Sequence, residues 1–374
     1  MTKRITVLGA GMVGRAIIYD LSREYNVTAV DIDDAALEYC KEKFNAITIK
    51  EDLSNTESLG KIINGADLVV SAVPGFMGYK TLETAIRKGK DVVDISFMPE
   101  DFTTLDKLAQ EKNVTAIADC GVAPGMPNII LGHHDQNMQI RKFEYMVGGL
   151  PKERKFPFEY KAPFSPVDVL EEYTRPARLM ENGEVVSKPA MSEAELIYFE
   201  DLGHLEAFNT DGLRSLLTTM EHIPNMKEKT LRYPGHIRLI QALKEAGFFS
   251  EKKIQVGDCH VKPVDFTSNL LIDEWKLEED EEEFTLMKIN IRGSEGNQPK
   301  DITYELLDRY DPVTGLSSMA RTTGFTATAA VNLLTNNIFT QKGVFPPEQI
   351  GRENESYEFV MNYLKERNVV YRRK

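Results

Sequence analysis

Apolar runs alternate with amphipathic stretches through the first third of the chain. Ile5-Thr6-Val7-Leu8 and Val27-Thr28-Ala29-Val30 are continuous and rich in β-branched residues, as strands buried on both faces of a parallel sheet are. Ala46 to Lys50, Asp67 to Val73, Asp91 to Ile95 and Val114 to Ala118 predict further strands. Between them, Ser54-x-x-Glu57 reads as a capping box, a helix is expected from about Lys80 to Lys88, and an amphipathic stretch runs from Asp101 to Lys112. Six strands joined by five crossovers describe an α/β domain with a doubly wound parallel sheet.

The pattern changes after the glycines and prolines of Asp119 to Pro127. Arg141 to Gly149 alternates apolar and polar residues, as do Phe284 to Arg292 and Ile302 to Arg309, and Glu181-Asn182-Gly183-Glu184 carries the Asn-Gly of a tight hairpin. These predict a second domain built around a largely antiparallel or mixed sheet. Ser317 to Leu334, rich in Ala and Thr, and Glu353 to Arg367 read as helices that return to the first domain. The expected division is 1–124, completed by 316–374, with 125–315 inserted.

The first strand runs into Gly9-Ala10-Gly11-Met12-Val13-Gly14, a G-x-G-x-x-G sequence, and Asp31 closes the second strand. In a strand-to-helix context this is the dinucleotide fingerprint of a Rossmann domain. Gly9 allows the tight turn, Gly11 lets the backbone approach a pyrophosphate, and Gly14 lets the helix pack on the strand. A carboxylate at Asp31 accepts from both ribose hydroxyls and repels a 2′-phosphate, so NAD is expected rather than NADP. Ligands sit at the carboxyl ends of such strands, which singles out the loops Ser71 to Phe76, Asp94 to Pro99 and Asp119 to Pro127. The expected cofactor set is Gly9, Gly11, Met12, Val13, Gly14, Asp31, Asp52, Ala72, Val73, Pro74, Asp94 and Ser96.

Composition narrows the class. The chain has 374 residues, 42% hydrophobic and 28% charged, with a net charge of −13 that argues against a nucleic-acid partner. No apolar run is long enough to cross a bilayer, and the first strand begins within a few residues of Met1, so a cytoplasmic protein is expected. Cys40, Cys120 and Cys259 lack metal-ligand spacing, and His133-His134-Asp135 has no companion ligands, so no metal is expected. The acidic run from Glu278 to Glu283 reads as a solvated loop, and Arg372-Arg373-Lys374 is too short for a nucleic-acid patch.

The chain resembles the saccharopine dehydrogenase-like oxidoreductases, and within them the L-lysine 6-dehydrogenases. The resemblance rests on Val7 to Gly14, Val73-Pro74-Gly75-Phe76, Asp94 to Pro99, Gly121 to Gly125 and Val147 to Pro151. Glu171 to Arg178, Thr210 to Arg214, Leu231 to His236 and Met319 to Gly324 extend it. It implies a Rossmann domain completed by C-terminal helices, an inserted catalytic and dimerisation domain, a homodimer, and hydride transfer between NAD(P) and a carbon bearing nitrogen. Saccharopine reductases of this group carry an Asp before the Pro-Gly of the loop after the sixth strand, where this chain has Ala123. That departure favours oxidation of the lysine ε-amine to an imine, which water converts to ammonia and a semialdehyde that cyclises. Saccharopine and carboxynorspermidine dehydrogenases are alternatives of the same class, and a non-catalytic NAD-binding protein is one of a different class.

Amine oxidation needs a proton acceptor, a group that positions the carbon, and arginine for an amino acid's carboxylate. Asp119, Glu172, Asp211, Arg232 and His236 are the catalytic candidates. Arg232 lies in the Leu-Arg-Tyr-x-Gly segment that resembles the family's substrate-binding arginine segment, and His236 titrates near neutrality when unperturbed. Arg175, Arg178, Arg214 and Phe97 are the substrate-binding candidates. Oxidising an amine needs no thiol nucleophile, so Cys120 is expected to be a packing residue.

Overall fold

A computed structural model describes residues 2–278 and 281–374. The first stretch alternates β1 (Arg4–Leu8), α1 (Met12–Leu21), β2 (Asn26–Asp31), α2 (Asp34–Phe44), β3 (Ile47–Lys50), α3 (Thr56–Ile62), β4 (Leu68–Ser71), α4 (Gly75–Arg87), β5 (Asp91–Asp94), α5 (Asp106–Lys112), β6 (Thr115–Ile117) and α6 (Met126–Asp135). The middle stretch contains β7 (Gln139–Pro151), α7 (Pro166–Thr174), β8 (Ala177–Glu181), β9 (Glu184–Lys188), β10 (Glu195–Phe199), β11 (Gly203–Asn209), α8 (Leu216–Thr219) and β12 (Met226–Arg232). It continues with α9 (His236–Glu245), β13 (Ile254–Val256), β14 (Cys259–Val261), α10 (Pro263–Trp275), β15 (Glu283–Glu295) and β16 (Gln298–Arg309). The chain ends with α11 (Ser318–Thr335), β17 (Gly343–Phe345), α12 (Pro347–Gly351), α13 (Asn354–Glu366) and β18 (Arg372–Arg373).

Two compact units result. The first comprises residues up to Ile140, Gly293–Lys300 and Met319–Arg372. Its sheet runs β17-β6-β5-β4-β1-β2-β3, with every pairing parallel. The six strands expected from the sequence are joined by β17, a three-residue strand too short to leave a periodic signal. The connections diverge between β1 and β4, which makes their carboxyl ends the topological switch point. Leu8, Val30, Val69, Val92 and Ala116 fill the core on one side with Leu82, Ile86 and Phe102.

This unit reaches Ile140 instead of ending at 124, because α6 packs on α12. A Cβ added at Gly132 would lie 2.0 Å from the Glu348 carbonyl oxygen, and one at Gly351 would lie 2.0 Å from that of Ile129. Only glycine permits this approach. The C-terminal helices are held by Asp20 of α1, whose buried carboxylate accepts from Thr328 Oγ1 at 2.6 Å, the Tyr363 hydroxyl at 2.7 Å and Arg367 Nε at 2.8 Å. The capping expectation is corrected by one position: Asn55, not Ser54, caps α3, accepting from the Glu57 and Ser58 amides.

The second unit comprises Arg141–Arg292, Asp301–Ser318 and Arg373–Lys374. Its sheet is mixed: the path is β10-β11-β12-β7-β15-β16-β18, with β8 pairing β12 and β9. β12 pairs β7 in parallel and β11 antiparallel. The Asn182-Gly183 hairpin joins β8 to β9, both turn residues having positive φ of 53° and 85°. Strands β13 and β14 pair apart from the main sheet. In the acidic run, Glu279 and Asp280 lie outside the described residues, while Glu281 pairs with Lys155 and Glu283 is buried at the start of β15.

Candidate functional site

In the first unit, the Gly9 amide donates to the Val30 carbonyl at 2.8 Å, and Gly9 takes a φ of 100°. That is a left-handed conformation suited to glycine. A Cβ there would meet the Ala72 carbonyl oxygen at 2.4 Å, and one at Gly14 would meet the Gly9 carbonyl oxygen at 2.1 Å. Gly11 differs, since a Cβ on it would meet nothing within 4 Å. The open space lies at the N-terminus of α1, beside Met12 and Val13 in its first turn, where helix amides and dipole favour phosphate. The residues therefore fit a dinucleotide. Gly14→Ala is expected to cost about 1–3 kcal/mol by overpacking and to weaken dinucleotide binding; urea unfolding and calorimetric titration check both effects.

Asp31 is fixed by the loop it faces. Its Oδ2 accepts from the Ala10 amide at 2.6 Å and Oδ1 from the Asp33 amide at 2.9 Å. A carboxylate offers about four lone-pair sites, so acceptor capacity remains for ribose hydroxyls. Asp52, after β3, is exposed and accepts from the Ser54 amide at 2.9 Å, and bonding to Ser54 holds its carboxyl below the usual range. Ala72 donates its amide to Leu8, Val73 is buried in the core, and Pro74 precedes α4.

At the carboxyl ends of β5 and β6 two further acids meet. Asp94 is wholly buried, its Oδ1 accepting from the Ser96 amide at 3.0 Å and hydroxyl at 2.7 Å. Burial pushes its carboxyl up to about 7, and the charge of Asp119 adds to the rise against the hydroxyls of Ser71 and Ser96. Asp119 is 2% exposed and holds a φ of 56°. Cys120 donates its amide to the Asp94 carbonyl at 3.1 Å, and burial pushes its thiol up to about 12, which leaves a neutral packing side chain. Phe97 is half-buried in the loop after β5.

In the second unit, β12 carries Glu228, Thr230 and Arg232 at alternate positions, hence on one face. Arg232 is 2% exposed and has all three nitrogens engaged. Nε donates to the Tyr173 hydroxyl at 3.0 Å, one terminal nitrogen to the Leu231 carbonyl at 3.0 Å, and the other to Glu172 at 2.5 Å and the Tyr160 hydroxyl at 3.3 Å. Its guanidinium also lies 4.3 Å from the Tyr160 ring centroid. Burial works against the charge, but Tyr160, Tyr173 and Glu172 outweigh it.

The chain of bonds continues through Tyr173 to His236 Nε2 at 2.9 Å, while His236 Nδ1 lies 2.9 Å from the Phe158 carbonyl. A carbonyl only accepts, so Nδ1 carries the proton and Nε2 accepts from Tyr173. Burial, with the Arg232 charge beside it, lowers His236 to about 3. The expectation that His236 titrates near neutrality is therefore corrected: it is a neutral structural acceptor, packed against Phe158, Tyr160, Tyr173 and Trp275. Arg232 likewise points into this cluster, where four of its five N–H donors meet Tyr173, Leu231, Tyr160 and Glu172.

The other candidates are also paired. Asp211 grips Arg178 through two bonds of 2.9 Å, and Arg175 meets Glu171 at 2.9 Å, one helical turn away. Arg214 is half-buried in a left-handed conformation with φ 50°. Sequence reasoning passed over Glu228. It accepts from the Thr210 hydroxyl at 2.5 Å, and burial pushes it up to about 8, with Glu172 and Asp211 adding to the rise. The available signal was the two-residue spacing of Glu228, Thr230 and Arg232 within a strand. Among the described residues no group of three or more His, Cys, Asp or Glu side chains is arranged to hold a metal, and no helix is long and apolar enough to cross a membrane.

The family model for the saccharopine dehydrogenase NADP binding domain matches residues 5–117, and that for the saccharopine dehydrogenase C-terminal domain matches residues 121–370. Mouse mitochondrial alpha-aminoadipic semialdehyde synthase is 23% identical over 267 residues, a match covering 67% of this chain and 29% of the mouse protein. Saccharopine dehydrogenase [NADP(+), L-glutamate-forming] of Saccharomyces cerevisiae is 24% identical over 265 residues, covering 67% of this chain and 59% of the yeast protein. The structure of the apo L-Glu-forming saccharopine dehydrogenase from Saccharomyces cerevisiae superposes with a TM-score of 0.80 at 19% identity, over 100% of this chain and 99% of that one. This likeness shows a shared fold, a parallel dinucleotide-type sheet with a second mixed-sheet unit. With the two family models together matching nearly the whole chain, the protein belongs to the saccharopine dehydrogenase family.

Proposed function

We propose that this protein is an NAD-dependent dehydrogenase that oxidises the ε-amine of L-lysine, giving ammonia and a semialdehyde that cyclises. The observation that carries this reading is the loop after β6, which holds the buried Asp119 but has Ala123 where the saccharopine reductases carry an acid in the resemblance described above. The cofactor would be held by Gly9, Gly11, Met12, Val13, Gly14, Asp31, Asp52, Ala72, Val73 and Pro74, with Ser96 at the nicotinamide end oriented by Asp94. When bound, NAD supplies the hydride acceptor. Arg178, Arg214, Arg175 and Phe97 remain the proposed substrate contacts, although Arg178 and Arg175 would have to exchange or share their carboxylate partners. Glu172 and Arg232 are proposed to act by holding Tyr173 and the wall around it, and Asp211 by holding Arg178.

A second reading, a saccharopine dehydrogenase, draws support from the fungal relatives, which are saccharopine dehydrogenases of the L-glutamate-forming kind. Absorbance of reduced nicotinamide separates the two. With NAD and a panel of lysine, ornithine, saccharopine and carboxynorspermidine, the proposal expects turnover with lysine. Turnover with saccharopine alone would replace it by the second reading.

A further inference from the structure

We propose that Arg178 reads the α-carboxylate of the amine substrate with the outer edge of its guanidinium, and that Glu228 is a positioning residue that sets this edge by clamping the turn that carries Asp211. This rests on the amine-dehydrogenase reading above and narrows the substrate class to an amino acid, as against a simple diamine. Strand β8 buries Ala177 and Leu179, so Arg178 between them stands on the opposite, open face, with 49% of its side chain exposed. The Asp211 side chain, 4% exposed, accepts from the Arg178 amide at 3.1 Å, from Nε at 2.9 Å and from one terminal nitrogen at 2.9 Å.

A guanidinium has five N–H donors in a rigid, planar fork. Asp211 takes two of those of Arg178 along one edge, and the other three meet no acceptor among the described residues. They form an outer edge whose direction is fixed before any ligand arrives, and a carboxylate matches such an edge with two parallel hydrogen bonds. A long surface side chain must give up rotamer freedom to bind, whereas Arg178 is already held by Asp211. The substrate therefore shares Arg178 with Asp211 and does not displace it.

Asp211 is itself fixed from both sides of its turn. Before it, the Thr210 hydroxyl lies 2.5 Å from Glu228 Oε2 and 2.8 Å from the Thr230 hydroxyl, and the Thr210 amide donates to the Glu228 carbonyl at 3.4 Å. After it, the Tyr145 hydroxyl of β7 donates to the Gly212 carbonyl at 2.8 Å. Gly212 rests on the Glu228 side chain, where an added Cβ would lie 2.6 Å from Glu228 Cγ. Arg214, at the end of the turn, holds a φ of 50°, which a non-glycine residue keeps only where its surroundings over-determine it. Glu228 is 4% exposed, and burial pushes its carboxyl up to about 8, so at neutral pH it holds the turn without adding a second negative charge beside Asp211.

Two readouts on the full chain test this. The first is the ratio of kcat/KM for L-lysine to that for cadaverine, which is lysine without its carboxylate. Arg178→Ala is expected to lower it about 10- to 100-fold, the size of hydrogen bonds to a charged group, chiefly by raising KM for L-lysine. Glu228→Ala should lower the ratio in the same direction, and Glu228→Gln, which keeps an acceptor for Thr210, should restore most of it. Thr210→Val removes the same hydrogen bond with little change of shape, and answers the question if Glu228→Ala does not fold. The second readout needs no turnover. In 15N NMR of arginine-labelled protein with NADH present, the Arg178 Nε–H signal, assigned by its loss in Arg178→Lys, is expected to be sharp, to shift with L-lysine but not with cadaverine, and to broaden in Glu228→Ala and Thr210→Val.

An unchanged ratio in Arg178→Ala, or an Nε–H signal that responds to neither L-lysine nor saccharopine, would overturn the carboxylate assignment. A ratio and signal untouched by Glu228→Ala and Thr210→Val, or a loss as large in Glu228→Gln as in Glu228→Ala, would overturn the role of Glu228. If the signal shifts with saccharopine and not with L-lysine, Arg178 reads a carboxylate and the lysine reading fails.

Discussion

Asp31→Ser is expected to lower the ratio of kcat/KM with NAD to kcat/KM with NADP by about 100-fold or more, the scale set by a like-charge contact of several kcal/mol. Asp31 is held at the end of β2 by the Ala10 and Asp33 amides, so its charge is fixed in place. A 2′-phosphate brought to the adenosine end would be repelled, whereas two ribose hydroxyls can donate to it. Absolute affinity for NAD should also fall, since the substitution releases the Ala10 amide from the glycine loop. The ratio is therefore the discriminating quantity. An unchanged ratio would mean that another group reads the ribose.

Arg232→Ala is expected to cost about 3–5 kcal/mol of stability, the range for breaking a buried ion pair by removing one partner. Glu172, whose carboxyl burial already pushes up, would lose the cation that opposes that rise, and the Tyr160 and Tyr173 hydroxyls would lose a donor. Tyr173 also orients His236, so the aromatic wall around Trp275 should loosen with it. Arg175→Ala makes the contrast, because its pair with Glu171 is a one-turn helix contact to a half-exposed carboxylate, a kind of pair worth about 0.3–0.5 kcal/mol. Urea unfolding of both variants checks the difference. Equal, small losses would show that Arg232 is not the structural hub described here.

The first unit was largely legible in the sequence because its information is local. Continuous apolar runs, glycines at fixed spacing and an acid about 20 residues on are all read without knowing what packs where. The return of α11 and α13 was also expected, and Asp20 supplies its reason through Thr328, Tyr363 and Arg367. What stayed hidden depends on contacts between distant positions. Nothing near Arg232 in sequence shows that Glu172, Tyr173 and Tyr160 surround it. For the same reason His236 passed for a residue that titrates near neutrality. Glu228 was missed because a charged residue on a strand reads as solvent-facing until Thr210 and Gly212 are seen to cover it.

The reaction itself is tested most directly by its products. With L-lysine and NAD, the purified protein is expected to release ammonia in equal amount to the reduced nicotinamide formed. Glutamate formed from saccharopine, with no ammonia from lysine, would contradict the account.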